Sequence, residues 1–330
     1  MAPGSLSRRL ALFLGVTISL VFGALAVRDV DLQVFWNGIE EMQYLWLLPA
    51  LAALGATLYL RTVRWRLLFA AETRPPFGAA LRALLIGLLF NQILPLRAGE
   101  AARVVALNRD AGTSRAEAIG TALVERIYDV LALLVILFVT LPFLPALGWI
   151  HGAAAFALAF VVIVALGAVC LTIYGERPLR LALAPLSLLP GVSRVRTDTA
   201  AVNLAGGLGA LHRPRLAVAA FGVTILSWVV AGLSYWFVMV GFGFETGFDG
   251  AILLLVTTNL ALVIPSLPAG VGVFEAATIF TLATFDIGES RALACAVVLH
   301  AVNFFPYIAG GLVALHSHAL SGRRGGRSLA

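Results

Sequence analysis

The sequence predicts an all-α polytopic membrane protein of about six full spans plus two broken re-entrant hairpins, arranged as an inverted-topology repeat. Three observations predict it. Of the 330 residues, 61% are hydrophobic and only 12% charged, where a soluble domain carries about a quarter charged residues. Two apolar runs break into amide, proline, glycine and charge, at Phe90–Arg103 and at Ile264–Glu275. Non-helical backbone at membrane depth survives only when buried in protein or lining a watery cavity, and paired breaks of this kind point to a transport site. Finally, arginine is distributed so that the two halves take opposite orientations under the positive-inside rule.

Arg8 and Arg9 precede the first run, Leu10–Val27, which exceeds a signal-peptide core of roughly 7–15 residues and is read as an uncleaved span. The following loop holds Asp29, Asp31, Glu40 and Glu41 against Arg28 alone and is assigned outside. Tyr44–Leu60 returns to Arg61, Arg64, Arg66, Arg74 and Arg82, with Trp46 and Trp65 where interfacial aromatics are expected. The run from Ala83 through Pro95 is followed by Arg97, Arg103, Arg109 and Arg115. A full crossing would strand those arginines outside; a hairpin turning at Leu94-Pro95-Leu96 keeps them in the cytoplasm.

Ala118–Leu141 then crosses outward to an uncharged turn, Pro142–Gly148, and Ala153–Tyr174 returns to a basic segment. Within that segment Leu179–Leu189 and Ala200–Leu211 are read as lying along the membrane surface. Leu216–Val240 crosses to Glu245 and Asp249. Ala251–Ile264 enters from outside, breaks at Pro265–Gly272, and Val273–Phe285 comes back out to Asp286 and Glu289. The last span, Ala292–Leu315, leads to a basic tail, 321–330. All but Arg28, Arg126 and Arg291 of the 23 arginines then lie on one side, with both termini cytoplasmic in a bacterial inner membrane.

The expected organisation is one integral membrane domain, 1–330, with halves at 1–148 and 149–320. Local echoes support the repeat: Pro95-Leu-Arg-Ala-Gly-Glu-Ala-Ala resembles Pro268-Ala-Gly-Val-Gly-Val-Phe-Glu-Ala-Ala. Ser114-Arg-Ala and Ser290-Arg-Ala each precede a span.

Composition excludes other classes. All 23 basic residues are arginine, and the pI near 10 is assigned to cytoplasmic loops and anionic headgroups, with no nucleic-acid partner. Cys170 and Cys295 both sit in apolar runs, so no disulfide framework is expected. No metal-ligand spacing, P-loop or dinucleotide fingerprint occurs, and neither metal nor cofactor is expected. His316 and His318 are read as a solvated tail.

Glu125, Arg126 and Asp129 fall inside or at the entry of a span, where helical spacing gathers them into one patch. An uncompensated charge at mid-bilayer costs about 2.5–3.5 kcal/mol on insertion scales, so these groups pair or face water. Two readings stand: an ion pair that fixes helix packing, or a headgroup or proton-coupling site. Glu100 and Arg103 lie three apart on the arm leaving the first hairpin, and Arg97 and Arg103 suit bidentate phosphate contact or cytoplasmic anchoring. Asn91 and Gln92 would satisfy freed backbone groups or a ligand. Gly99, with Pro95, marks the first break. Pro265, Pro268, Gly270 and Gly272 permit tight turning in the second. Glu275, at the start of the returning helix, would cap it or bind a cation or proton. Arg61, Arg64 and Arg66 beside Trp65 read as an interfacial lipid-facing cluster, and His300 and Asn303 as structural hydrogen-bonders.

Taken as an ordered set, Arg61-x-x-Arg64-Trp, Phe90-Asn-Gln-Ile-Leu-Pro-Leu-Arg-Ala-Gly-Glu100, Glu125-Arg126-Ile-Tyr-Asp129 and Pro268-Ala-Gly-Val-Gly-Val-Phe-Glu275 resemble the membrane region of bacterial lysylphosphatidylglycerol synthases. That region also occurs as free-standing flippase-like proteins, and the resemblance runs from about Leu45 to Leu315. It implies a protein that moves a lipid or lipid-linked headgroup between leaflets. In the two-part synthases a soluble domain attaches the amino acid. No such domain follows in these residues, so aminoacyl transfer is not expected and the lipid need not be lysylphosphatidylglycerol. The resemblance marks the arginines of the first hairpin and the Glu125–Asp129 patch as headgroup contacts.

Three functional readings follow. A flippase or scramblase would take a membrane lipid, an anionic phospholipid or lipid-linked headgroup, as its partner. A membrane transferase would act on a phospholipid or polyprenyl phosphate with Glu100, Glu125 and Asp129. A non-transporting partner would scaffold a lipid-modifying enzyme. Homo-oligomerisation is left open.

Overall fold

The computed structural model describes residues 4–94, 98–143, 177–188, 214–262 and 267–327, with isolated positions between 152 and 198. Pro95, Leu96, Arg97, Pro265, most of the span expected over Ala153–Tyr174, and the segment Ala200–Leu211 lie outside the described residues. Every regular element among the described residues is a helix.

Helix α1, Gly4–Val27, is followed by the short α2, Leu32–Glu40, inside what the charge pattern reads as a plain loop. Asp31 starts α2: its Oδ1 accepts from the Gln33 and Val34 amides at 2.8 and 3.2 Å, an N-cap that satisfies otherwise orphaned donors. A 3-10 turn, Tyr44–Trp46, leads into α3, Leu47–Leu67. Helix α4, Phe77–Ile93, and α5, Gly99–Ala111, form the first broken hairpin. Gly112 ends α5 with φ 64°, a left-handed C-cap that glycine adopts without strain. Helix α6, Arg115–Thr140, completes the N-terminal half.

Beyond the short α7, Arg177–Leu183, come α8, Pro214–Gly241, and α9, Phe248–Ala261. A 3-10 turn, Pro268–Gly270, interrupts the second hairpin before α10, Val273–Leu282. Helix α11, Glu289–Arg327, carries Pro306 within it and continues over part of the segment read as a basic tail. Tyr44–Leu67, Arg215–Gly241, Pro268–Phe285 and Glu289–Ser317 are long and apolar enough to cross a membrane, accompanied by the shorter apolar Gly15–Val27, Phe77–Ile93 and Phe248–Ala261. Large hydrophobics such as Leu20, Leu48, Val139, Val218 and Phe305 face outward, as a lipid-facing exterior requires.

The larger core gathers on α9, whose residues Ala251–Val256 are all buried between α8, α10, α11 and the end of α6. A helix apolar on every side belongs in such a core. A second core joins Trp65 and Phe69 to the small-residue face of α4, Ala79, Ala80 and Ala83, and to Val104 and Leu107 of α5. Small residues let the backbones close up. Helix α4 is gripped on two sides: a Cβ on Gly99 would lie 1.9 Å from the Gly87 carbonyl oxygen, and one on Gly311 of α11 would lie 2.4 Å from Leu89 Cβ. The Pro268–Gly270 turn of the second break packs against α4 as well.

Gly99→Ala is expected to force α4 and α5 apart and destabilise the fold by about 1–3 kcal/mol, the usual size of overpacking. Gly55→Ala, on an α3 surface with open space around it, is expected to be neutral or stabilising by up to ~1 kcal/mol. Thermal unfolding of the two purified variants in detergent compares them directly; equal melting temperatures would contradict the tight α4–α5 crossing.

Candidate functional site: a closed ring of buried charges

Glu125 and Asp129 are one helical turn apart on α6 and point the same way, toward α3 and α5. Arg64, near the end of α3, reaches both of them. The other Glu125 oxygen takes Nη1 of Arg103 from α5 at 2.8 Å. Arg103 Nη2 lies 2.6 Å from Glu100 Oε2, close in charge but without hydrogen-bond alignment. Glu100 Oε1 meets Arg126 Nη2 at 2.9 Å, and Arg126 Nη1 stands 3.6 Å from Asp129 Oδ2. The contacts close on themselves: Arg64, Glu125, Arg103, Glu100, Arg126, Asp129 and back to Arg64, alternating in sign all the way round. The formal charges cancel.

Burial grades around the ring. The Arg64, Glu125 and Arg103 side chains are 1–3% exposed, whereas Glu100 is 30% and Arg126 45% exposed. One side is therefore sealed and the other open. Aromatics wall the sealed side. The Arg103 guanidinium lies 4.8 Å over the Trp65 ring, and Trp65 donates its indole N–H to Thr121 Oγ1 at 3.2 Å. Trp228 of α8 donates to Asp129 Oδ1 at 3.1 Å while its ring face carries the Arg61 guanidinium at 4.8 Å. Sequence reading missed Trp228; its signal was an indole in the middle of an apolar run, where the N–H needs a partner.

The breaks are held by side chains that replace missing backbone partners. Asn91 Oδ1 accepts from the Gly99 amide at 2.9 Å, so the last turn of α4 caps the first turn of α5. Gln92 donates to the Asn303 carbonyl of α11 at 3.3 Å. In the second break Ala269, Gly270 and Gly272 all have positive φ, 62°, 79° and 86°. A Cβ on Gly272 would lie 2.4 Å from the Ser19 carbonyl of α1, so only glycine fits there. Ser19 also accepts from the Leu267 amide at 2.7 Å. Glu275 both caps α10, accepting from Gly272 N at 2.6 Å, and pairs with His300 Nδ1 of α11 at 2.6 Å.

Of the expected site residues, Arg64, Glu100, Arg103, Glu125, Arg126 and Asp129 come together in the ring, Arg61 borders it, and Glu275 sits at the second break. Asn91 and Gln92 serve backbone groups. Arg97, Pro95 and Pro265 lie outside the described residues. The lipid-facing reading of the α3 arginines needs correction: Arg64 and Trp65 are fully buried, and Arg66 donates to the Pro75 carbonyl at 2.9 Å. The carboxylates of α6 draw Arg64 inward. Arg103 likewise has its Nη1 bound to Glu125 and its Nη2 against Glu100, rather than free for phosphate. No group of three or more metal-ligating side chains occurs among the described residues.

A family profile described as the lysylphosphatidylglycerol synthase TM region matches residues 12–311. The chain is similar to the glycosyltransferase AglD of Haloferax volcanii, 27% identical over an alignment of 345 positions covering 93% of this chain and 54% of that protein. It thus spans about half the length of AglD. It is also similar to the UPF0104 membrane protein MJ1078 of Methanocaldococcus jannaschii, 21% identical over 226 residues, 68% of this chain and 92% of that one. No solved structure matches.

Removing one member of the sealed side is expected to cost far more than removing one from the open side. Glu125→Ala leaves Arg64 and Arg103 facing each other and is expected to destabilise by about 3–5 kcal/mol. Arg126→Gln, at the exposed edge, is expected to cost less than ~1 kcal/mol. Detergent melting curves check the ordering; an equal loss for both would break the distinction between sealed and open sides.

Proposed function

The chain belongs to the lysylphosphatidylglycerol synthase transmembrane-region family, and on that premise we propose that it is a flippase or scramblase moving a phospholipid or lipid-linked headgroup between leaflets. The observation that carries the reading is the charge ring, buried among apolar helices yet open along Glu100 and Arg126. A neutral ring of both signs lets a charged or zwitterionic headgroup exchange with existing ion pairs instead of meeting bare charge. The acyl chains stay against the apolar exterior meanwhile. Glu100 and Arg126 are the first headgroup contacts in this reading.

Two features support alternating access by an inverted repeat. Both breaks attach to the same stretch of α11, through Gln92 to Asn303 and Glu275 to His300, and the second break packs on α4. In each half, moreover, a glutamate in the first turn of the returning hairpin helix pairs with a basic group on the next long helix: Glu100 with Arg126, Glu275 with His300. The separations along the chain are nearly the same. Rocking of one half against the other about these contacts would open the ring to either side. Glu275 and His300 are the candidate proton carriers if a gradient drives the movement. The arginine distribution supports a cytoplasmic membrane with both termini inside.

The similarity to a protein named as a glycosyltransferase favours a second reading, a membrane transferase acting on a phospholipid or polyprenyl phosphate, alone or beside a lipid-modifying enzyme. In that reading Glu100, Glu125 and Asp129 converge on the substrate.

Reconstituted full-length protein separates the readings. Labelled neutral, anionic and aminoacylated phospholipids and a polyprenyl phosphate are offered in proteoliposomes, with transbilayer movement and covalent conversion both followed. Selective movement of one headgroup class, reduced about tenfold or more by Arg126→Gln (a barrier raised by ~1.4 kcal/mol), is expected. Conversion of a lipid without movement would favour the transferase, and neither activity with a gradient supplied would leave the scaffolding role.

A further inference from the structure

The ring uses up its own arginines. Arg64, Arg103 and Arg126 each contact two carboxylates, so a ligand reaches any of them only by exchange with an existing ion pair. Arg61 differs. It sits one helical turn from Arg64 on α3, partly buried, with its Nε enclosed and without a hydrogen-bond partner. No carboxylate pairs with it among the described residues. Its neighbours are aromatic: the Trp228 ring at 4.8 Å, and the hydroxyls of Tyr235 on α8 and Tyr307 on α11 within electrostatic reach. A guanidinium left unneutralised in an apolar helix is costly, and an anion removes that cost. Planar donors backed by an indole match a phosphate oxyanion.

We infer that Arg61 is the docking site for the phosphate group of the lipid, and that the ring does not bind phosphate but positions Arg61 through Trp228. The indole N–H is fixed by Asp129 and the indole face by Arg61, so the ring sets where the free cation stands. The lipid identity of the anion rests on the lipid-moving reading above. The oxyanion chemistry does not.

Binding to the purified, delipidated full-length protein tests it, read by native mass spectrometry and by tryptophan fluorescence. The probes are phosphatidylglycerol, diacylglycerol with the same acyl chains, polyprenyl phosphate, polyprenol, and inorganic phosphate. Phosphatidylglycerol or polyprenyl phosphate is expected to bind better than its phosphate-free counterpart by about tenfold or more, the size of one charge-assisted contact. Arg61→Gln is expected to abolish that preference, and Arg61→Lys to keep only part of it, since an ammonium preserves the charge but not the planar, indole-stacked donors. Arg82→Gln, which removes the pair between α4 and Asp110 of α5, is expected to leave it unchanged. Trp228→Phe keeps an aromatic face under Arg61 but loses the indole N–H that Asp129 holds; read by native mass spectrometry, it serves where Arg61→Gln does not fold and is expected to weaken binding about threefold, the size of one lost positioning hydrogen bond.

Inorganic phosphate competing at equal concentration would assign the site to the free anion rather than a lipid, and would overturn the lipid half of the proposal. A preference for phosphate that survives Arg61→Gln and Trp228→Phe overturns all of it. Phosphate-selective binding through Arg61 in a protein that moves no lipid leaves the docking site standing and removes the transport reading.

Discussion

A guanidinium carried into an apolar helix must be answered by negative charge, and Arg64 imposes that requirement on three helices at once. It stands near the end of α3, so α3 can stay buried there only if α6 presents Glu125 and Asp129 to it. Glu125 has a second oxygen to satisfy, which brings α5 in through Arg103. Arg103 then draws Glu100, and Glu100 draws Arg126 back to α6. Each step follows from leaving no buried charge half-answered. The break between α4 and α5 belongs to the same logic: the chain must turn after Ile93 for α5 to bring Glu100 and Arg103 back to this level, and Asn91 caps the restart.

Much of the helix layout was legible in the sequence because apolar runs reveal spans whether or not their partners are known. The expected runs Leu216–Val240 and Ala118–Leu141 differ from α8 and α6 by only a few residues at either end. At the second span the difference has a plain physical origin: a charge ends a span only where nothing neutralises it. The arginines after Leu60 suggest that the span stops there, yet α3 runs to Leu67, since Arg64 is neutralised from a helix that comes about sixty residues later. Helix spacing alone gathered Glu125, Arg126 and Asp129. It could not bring in α3 and α5, because nothing local encodes which face of one helix meets another. Asp31 ahead of an apolar-periodic stretch is a readable N-cap signal for α2, whereas the acidic charge of the segment speaks only to its side of the membrane.

The two breaks solve one problem with different chemistry. Both interrupt a helix where orphaned amides need acceptors, and both restart at a glycine. In the first, the acceptor is Asn91, an amide from the preceding helix; in the second it is Glu275, from within the restarting helix itself. The second break also leans on α1, where Ser19 accepts from Leu267 and the Gly23 backbone lies against Gly272. The first break thus takes its cap from its own hairpin, whereas the second also takes backbone contacts from a distant part of the chain.

The order in which the ring's members leave the ribosome adds a constraint on biosynthesis. Arg64 precedes Glu125 by 61 residues and Asp129 by 65. At roughly 5–20 residues per second, the emerging α3 carries a cation for several seconds before any of its carboxylates exists. Its first four turns are apolar and can enter the bilayer alone; its last two cannot settle at their final depth until α6 arrives. The seating of α3 is therefore an event of the assembled helices, and the translocation machinery has to hold an unfinished span while its counter-charge is still being translated.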